Sequence, residues 1–173
     1  MRSRLSPSGC CPASRTLILP ETVFDLSDAD ATARLGAAVA RRLAAGEAVL
    51  LCGPLGMGKS TLARGLIRAL TRPDEDVPSP TFTLVQFYDS EPPVAHFDLY
   101  RLTRPEEASE IGFDEALDEG CAVIEWPERL GDDPAAWLGP DRLTITLAET
   151  GGGRRATVSG AGAWESKVMD LHV

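Results

Sequence analysis

The stretch Gly53-Pro54-Leu55-Gly56-Met57-Gly58-Lys59-Ser60, with Thr61 behind it, decides the fold. It fits the pattern G-x-x-x-x-G-K-[ST], and its flanks supply the context such a match needs. The apolar run Ala48-Val49-Leu50-Leu51-Cys52 before it reads as a buried strand, and residues 61–70 after it read as a helix. The glycines allow a tight loop whose N–H groups turn inward around an anion. That loop sits at a helix N-terminus, where unpaired donors and the helix dipole already favour negative charge. The expected contacts follow from reach. Gly53, Gly56, Met57 and Gly58 form the cradle, Lys59 extends to the β and γ phosphates, Ser60 gives its hydroxyl to Mg²⁺, and Thr61 adds a contact to the α phosphate. Pro54 is compatible with the loop, because a fixed φ suits the turn.

At 173 residues the chain is one domain's worth and can bury a sizeable core without staples. Residues 1–20, rich in Ser, Pro and small residues, are expected to be a disordered extension, residues 21–162 a single domain, and residues 163–173 a C-terminal tail. The net charge is −9; residues 1–20 hold three arginines and no acid, so the rest carries −12. A body that acidic repels nucleic acid, and any RNA it serves is presented by a partner. Cys10 and Cys11 are adjacent, whereas Cys52 and Cys121 sit in apolar strand-like runs as small buried thiols, with no C-x-x-C spacing for zinc. No apolar run approaches the ~18 residues of a membrane span. Leu17-Ile18-Leu19 is too short for a signal peptide's apolar segment, so a cytoplasmic protein is expected.

Along the chain, residues 22–26 read as a short strand. Ser27 with Asp30 reads as an acidic capping box for a helix in which Leu35, Val39 and Leu43 recur up to Gly46, with Gly36, Ala37 and Ala40 allowing close packing on a sheet. After the loop helix and an acidic turn at 72–76, Pro78 and Pro80 hold Ser79 and Thr81 on a stiff extended segment. Residues 83–88 and 94–100 alternate as a strand hairpin, which makes the sheet mixed. Residues 105–120 hold seven acids and no base, starting a helix at Pro105 that Gly112 interrupts; this face is either solvated or docks a basic partner. Residues 122–128 form an apolar strand that ends in a carboxylate. A short helix to Leu138 follows, then strands around Leu143-Ile145-Leu147 and 154–159 joined by the glycines at 151–153. The resulting class is α/β: a P-loop NTPase-like three-layer fold with a mixed central sheet flanked by helices.

A phosphate loop needs a metal, and Mg²⁺ needs anionic oxygen. Asp98 and Glu125 fall at the C-terminal ends of apolar strands, where open α/β sheets bind ligands. Glu125 is assigned the Walker B role, holding Mg²⁺ directly or through water, and Asp98 orients water or a metal ligand. Arg101 and Arg104 can reach a phosphate or pair with the acids at 106–119. Trp126 either covers the nucleotide pocket or is a core residue. The chain contains no Asn, so the Asn-Lys-x-Asp element that selects guanine is absent and ATP is the expected nucleotide.

Gly53-Pro-Leu-Gly-Met-Gly-Lys-Ser-Thr61, Ser79-Pro-Thr-Phe82, His96-Phe-Asp-Leu-Tyr-Arg-Leu102 and Ile124-Glu-Trp-Pro-Glu128, in this order and spacing, resemble the bacterial ATPase family of tRNA threonylcarbamoyladenosine biosynthesis (TsaE/YjeE). The resemblance covers about residues 22–160, and Leu35-Gly36 fits it. It implies ATP hydrolysis with Mg²⁺ in company with the subunits (TsaD/TsaB-like) that transfer the threonylcarbamoyl group to N6 of adenosine 37 in tRNAs reading ANN codons. It implies Lys59, Ser60 and Thr61 on phosphate and metal, Glu125 on Mg²⁺ and Asp98 in hydrolysis. It further implies residues 79–82 as the segment that answers to the nucleotide, and Trp126 beside the site. Pro54, Met57 and Ser60 stand where Asp, Ala and Thr are usual, and Ser60 keeps the hydroxyl. Two other classes remain: a small-molecule or nucleotide kinase, against which the missing arginine-rich lid counts, and a non-catalytic ATP-dependent interaction module.

Overall fold

The computed structural model describes residues 21–131 and 133–173; the expectations for residues 1–20, Cys10 and Cys11 among them, lie outside these. The strands are β1 (Glu21–Leu26), β2 (Ala48–Cys52), β3 (Val85–Tyr88), β4 (Val94–Asp98), β5 (Cys121–Glu125), β6 (Arg142–Thr150) and β7 (Gly153–Ala161). The helices are α1 (Ala29–Ala40), α2 (Lys59–Leu70), α3 (Phe113–Glu119), α4 (Ala135–Leu138) and α5 (Trp164–Lys167). One seven-stranded sheet runs in the order β1-β7-β6-β2-β5-β4-β3. β2 pairs in parallel with both β5 and β6, and β4 with β5, while the β3–β4, β6–β7 and β1–β7 pairs are antiparallel. The sheet is mixed, as the hairpin reading requires, and the strand before the phosphate loop lies at its centre.

Strand alternation builds the three layers. Val49 and Leu51 of β2 join one core with Leu35, Leu62, Leu66 and Ile67, whereas Ala48 and Leu50 join the other with Phe97, Phe113 and Leu138. Each fully buried aliphatic side chain contributes roughly 1.5–3 kcal/mol, so both faces of β2 must be covered, and α1 and α2 cover one while α3 and α4 cover the other. Gly36 and Gly65 set the distance between α1 and α2. A Cβ at Gly36 would lie 2.2 Å from the Leu62 carbonyl oxygen, and one at Gly65 2.2 Å from that of Ala33. Gly36 of α1 thus serves contact with a helix, where the sequence suggested contact with the sheet.

Several local readings change. The cap of α1 is Asp28, not Ser27: its Oδ1 accepts from Ala31 N at 2.7 Å, which holds its carboxyl below the ordinary aspartate value, and Ser27 Oγ donates to Asp28 instead. The helix ends at Ala40, short of Gly46, whose positive φ serves the turn into β2. β3 begins at Val85 because Leu84 takes φ 65°, a left-handed conformation that closes a turn with Leu84 N donating to Pro80 O. Residues Pro105–Glu110 form a 3-10 helix before Gly112 turns the chain into α3. The expected tail at 163–173 is docked: Trp164 and Val168 are fully buried in the α1–α2 core, Lys167 pairs with Glu47, and Arg42 Nη2 donates to Asp170 O at 2.8 Å. Among the described residues no helix is long and apolar enough to cross a membrane.

Candidate functional site

The phosphate loop links the C-terminal end of β2 to the N-terminus of α2. Gly53 must be glycine: it adopts φ 125°, and a Cβ there would sit 2.3 Å from the Leu147 carbonyl oxygen on β6. Gly58 precedes α2 in the left-handed region and leaves the helix without a side-chain cap, so its first N–H groups stay open to a ligand. Lys59 is 4% exposed; its Nζ donates to Gly53 O at 2.6 Å and Pro54 O at 3.0 Å and lies 3.7 Å from the centre of the Trp126 ring. Burial pushes its ammonium below the ordinary lysine value, while Glu125, Glu128 and Asp98 pull it back up. Trp126, held at φ 61° immediately after β5, lines the pocket beside Lys59 and also packs against the second core. A left-handed, non-glycine residue here is strain of roughly 1–2 kcal/mol, stored where the ring must face the lysine.

The two predicted carboxylates meet. Asp98 and Glu125 end adjacent parallel strands in direct register and are 3% and 2% exposed. Ser60 Oγ, in the first turn of α2, donates to Glu125 Oε2 at 2.9 Å. Asp98 Oδ2 accepts from Ser79 Oγ at 2.8 Å and Thr81 Oγ1 at 2.6 Å, and Oδ1 accepts from Tyr100 N at 3.0 Å. Asp98 N also donates to Leu84 O at 3.0 Å, so the segment after the two prolines is tied to one carboxylate by side chain and backbone together. Arg101 stacks 4.2 Å from the Phe82 ring and Arg104 pairs with Glu107, so these two arginines do not line the pocket. Thr61 does line it.

Two participants escaped the sequence reading. His96 Nε2 lies 2.9 Å from Glu125 Oε1 in a fully buried contact; a carboxylate only accepts, so Nε2 is the donor, and Nδ1 has no partner among the described residues. The alternation along β4 held the signal, since His96 and Asp98 share a face. Arg154, on β7, reaches across the sheet end and donates from Nη2 to Gly56 O at 3.2 Å. No local pattern announces it, because only the return of the β6–β7 hairpin brings it there.

Lys59, Ser60, Asp98, Glu125, Trp126 and Arg154 line one cavity of about 390 Å³, the size range of small-molecule sites, with His96 behind Glu125. Its donors fit Mg²⁺ and a polyphosphate. Ser60, Glu125 and Asp98 present only oxygen, which a hard cation prefers, and open helix N–H groups with Lys59 face the same space. Among the described residues no three of His, Cys, Asp or Glu cluster as a metal cage. Mg²⁺ bound with phosphate and water needs only one or two carboxylates.

The comparisons with known proteins agree with this geometry. A family model described as "Threonylcarbamoyl adenosine biosynthesis protein TsaE" matches residues 26–157. The tRNA threonylcarbamoyladenosine biosynthesis protein TsaE of Nostoc sp. is 38% identical over 136 residues, covering 75% of this chain and 81% of that protein. The protein of the same name from Rickettsia felis is 40% identical over 104 residues, covering 60% and 61%, and that of Rickettsia conorii 40% identical, covering 60% and 59%; the match thus spans about three-fifths of the Rickettsia proteins. The crystal structure of Bacillus subtilis YdiB shares the fold, with a TM-score of 0.72 at 23% identity over 88% of this chain and 94% of that one. A family model that runs from the end of β1 into β7, and so takes in the loop, both strand-end carboxylates and Trp126, leaves one assignment: the chain belongs to the TsaE family.

Proposed function

We propose that the chain is a Mg²⁺-dependent ATPase that serves formation of N6-threonylcarbamoyladenosine at position 37 of tRNAs reading ANN codons. It acts in the cytoplasm with the TsaD/TsaB-like subunits of the threonylcarbamoyl-transferase complex and meets tRNA only through them. The observation that carries the ATPase reading is the 2.9 Å hydrogen bond from Ser60 to Glu125, which joins the loop helix to a strand-end carboxylate one strand from Asp98. The tRNA step is supported by the names of the related proteins, and the indirect contact with RNA by the −12 charge of residues 21–173.

In this reading Gly53, Gly56, Met57 and Gly58 shape the cradle and Lys59 counters the charge of the β and γ phosphates. Thr61 steadies the α phosphate, and Trp126 keeps water from the lysine. Ser60 and Glu125 hold Mg²⁺, which when bound neutralises charge on the phosphates. Asp98, held in place by its hydroxyl and N–H donors, orients the attacking water and takes its proton. Because Ser79 and Thr81 are the groups that hold it, the segment they belong to shifts whenever Asp98 turns to the nucleotide, which gives a partner something to read. The test is ATP turnover by the chain alone and with TsaD/TsaB-like subunits, beside calorimetric nucleotide binding. The expected result is turnover that rises with the subunits, loss of binding in Lys59→Ala, and loss of turnover with binding retained in Asp98→Ala. Phosphoryl transfer to a small acceptor, or equal loss of binding in the two variants, refutes it.

A further inference from the structure

We propose that Arg154 is a polyphosphate-binding residue, which grips the phosphate chain of the bound nucleotide from the β7 side of the loop while Lys59 grips it from α2. The inference rests on the nucleotide reading above and names a residue for that site. Arg154 is the second residue of β7, directly opposite Leu26 on β1 and Glu149 on β6. Its neighbour Arg155 behaves as a surface arginine and pairs with Asp25 at 2.9 Å. Arg154 makes no ion pair among the described residues. Its guanidinium instead lies over the loop: Nη2 donates to Gly56 O at 3.2 Å, and Cδ and Nε lie 3.7 Å from the position of a Cβ on Gly58.

Nε is buried and has no hydrogen-bond partner among the described residues. A guanidinium donor left open without water is unfavourable, and the exposed Gly151 and Gly152 beside it leave a way out to solvent. A charged side chain that stays over a phosphate loop with an open donor is one whose acceptor arrives with the ligand. The guanidinium fork matches phosphate oxygens, and four of its five donors remain after Gly56. The charge of the cavity gives the same answer. Its charged lining is Lys59 and Arg154 against Asp98 and Glu125, so without Arg154 the walls would carry a net negative charge towards a polyanion.

The experiment is calorimetric titration of ADP and ATP into the unmodified chain, Arg154→Gln, Arg154→Lys and Arg155→Gln, with nucleotide-free melting of each. Arg154→Gln is expected to weaken both nucleotides at least about tenfold, the loss of one charge-assisted hydrogen bond. Arg154→Lys should fall between it and the unmodified chain, Arg155→Gln should bind normally, and the nucleotide-free melting of all four should agree. Binding by Arg154→Gln within about twofold of the unmodified chain overturns the proposal; so does a fall in its nucleotide-free melting large enough to account for the lost binding. If the unmodified chain binds neither nucleotide, the ATPase reading itself fails, and the Arg154 assignment falls with it.

Discussion

Replacing His96 by leucine should unfold the protein more easily and loosen its hold on Mg²⁺, because one hydrogen bond orients Glu125. His96 is 1% exposed and Glu125 2%, and Nε2 donates to Oε1 at 2.9 Å while Ser60 occupies Oε2. A hydrogen bond to a charged group contributes about 1.5–3 kcal/mol, and a buried acceptor left without its donor costs about 1–3 kcal/mol, more when it is charged. Two features lower the sum: Glu125 keeps its Ser60 donor, and the leucine removes the unpartnered Nδ1. The expected loss is therefore about 2–3 kcal/mol. At about 2–4 °C per kcal/mol for a domain of this size, the melting point falls by roughly 5–10 °C. His96→Gln, which keeps a donor, should lose less. Since a neutral amide is easier to bury than an unpaired carboxylate, Glu125→Gln in the leucine background should recover about 1 kcal/mol or more. Urea and thermal unfolding without nucleotide measure these values, and nucleotide titrations at several Mg²⁺ concentrations show whether the leucine variant needs more metal. A His96→Leu protein within about 0.5 kcal/mol of the parent, or strictly additive effects of the two substitutions, refutes the reasoning.

The depressed Lys59 pKa makes stability and binding move in opposite directions with pH. The unfolded chain holds the proton more tightly, so unfolding free energy rises with pH between the folded value and the ordinary 10.5. Bound phosphates favour the ammonium, so nucleotide affinity falls across the same window; denaturation and titration at stepped alkaline pH check both signs. Gly65→Ala pushes a methyl to 2.2 Å from the Ala33 carbonyl and should cost about 1–3 kcal/mol or more in thermal unfolding, whereas an unchanged melt would mean that α1 and α2 lie further apart. Burial pushes the Cys52 thiol up to about 11 and that of Cys121 up to about 12, so iodoacetamide near pH 8 should leave both unlabelled in the folded chain and label them in urea, as read by peptide mass mapping.

Local chemistry was legible where a pattern repeats within a few residues. The apolar run 48–52 could only be a buried strand, the glycines and Lys59 announced the loop, and the strand-end positions of Asp98 and Glu125 pointed to the wall of the cavity. Boundaries were less legible. Asp28 displaced Ser27 as the cap because cap choice depends on which oxygen reaches Ala31 N, and β3 lost two residues to a turn that Leu84 closes with an unusual φ. The C-terminal segment read as a tail because its apolar residues are too few to show a period, yet Trp164 alone fills a fully buried site.

The sequence by itself determined the α/β class, the phosphate loop and the identity of its two acidic partners, since each is written in contiguous residues whose spacing the backbone must obey. Only the tertiary structure decided that Asp98 and Glu125 stand side by side, that His96 supports one and Ser79 and Thr81 the other, and that Arg154 closes over Gly56. Those contacts join residues 17 to 98 positions apart, and they arise from the register of parallel strands and the return of hairpins. Neither leaves a trace in local periodicity, because strand register is set by packing of both sheet faces at once.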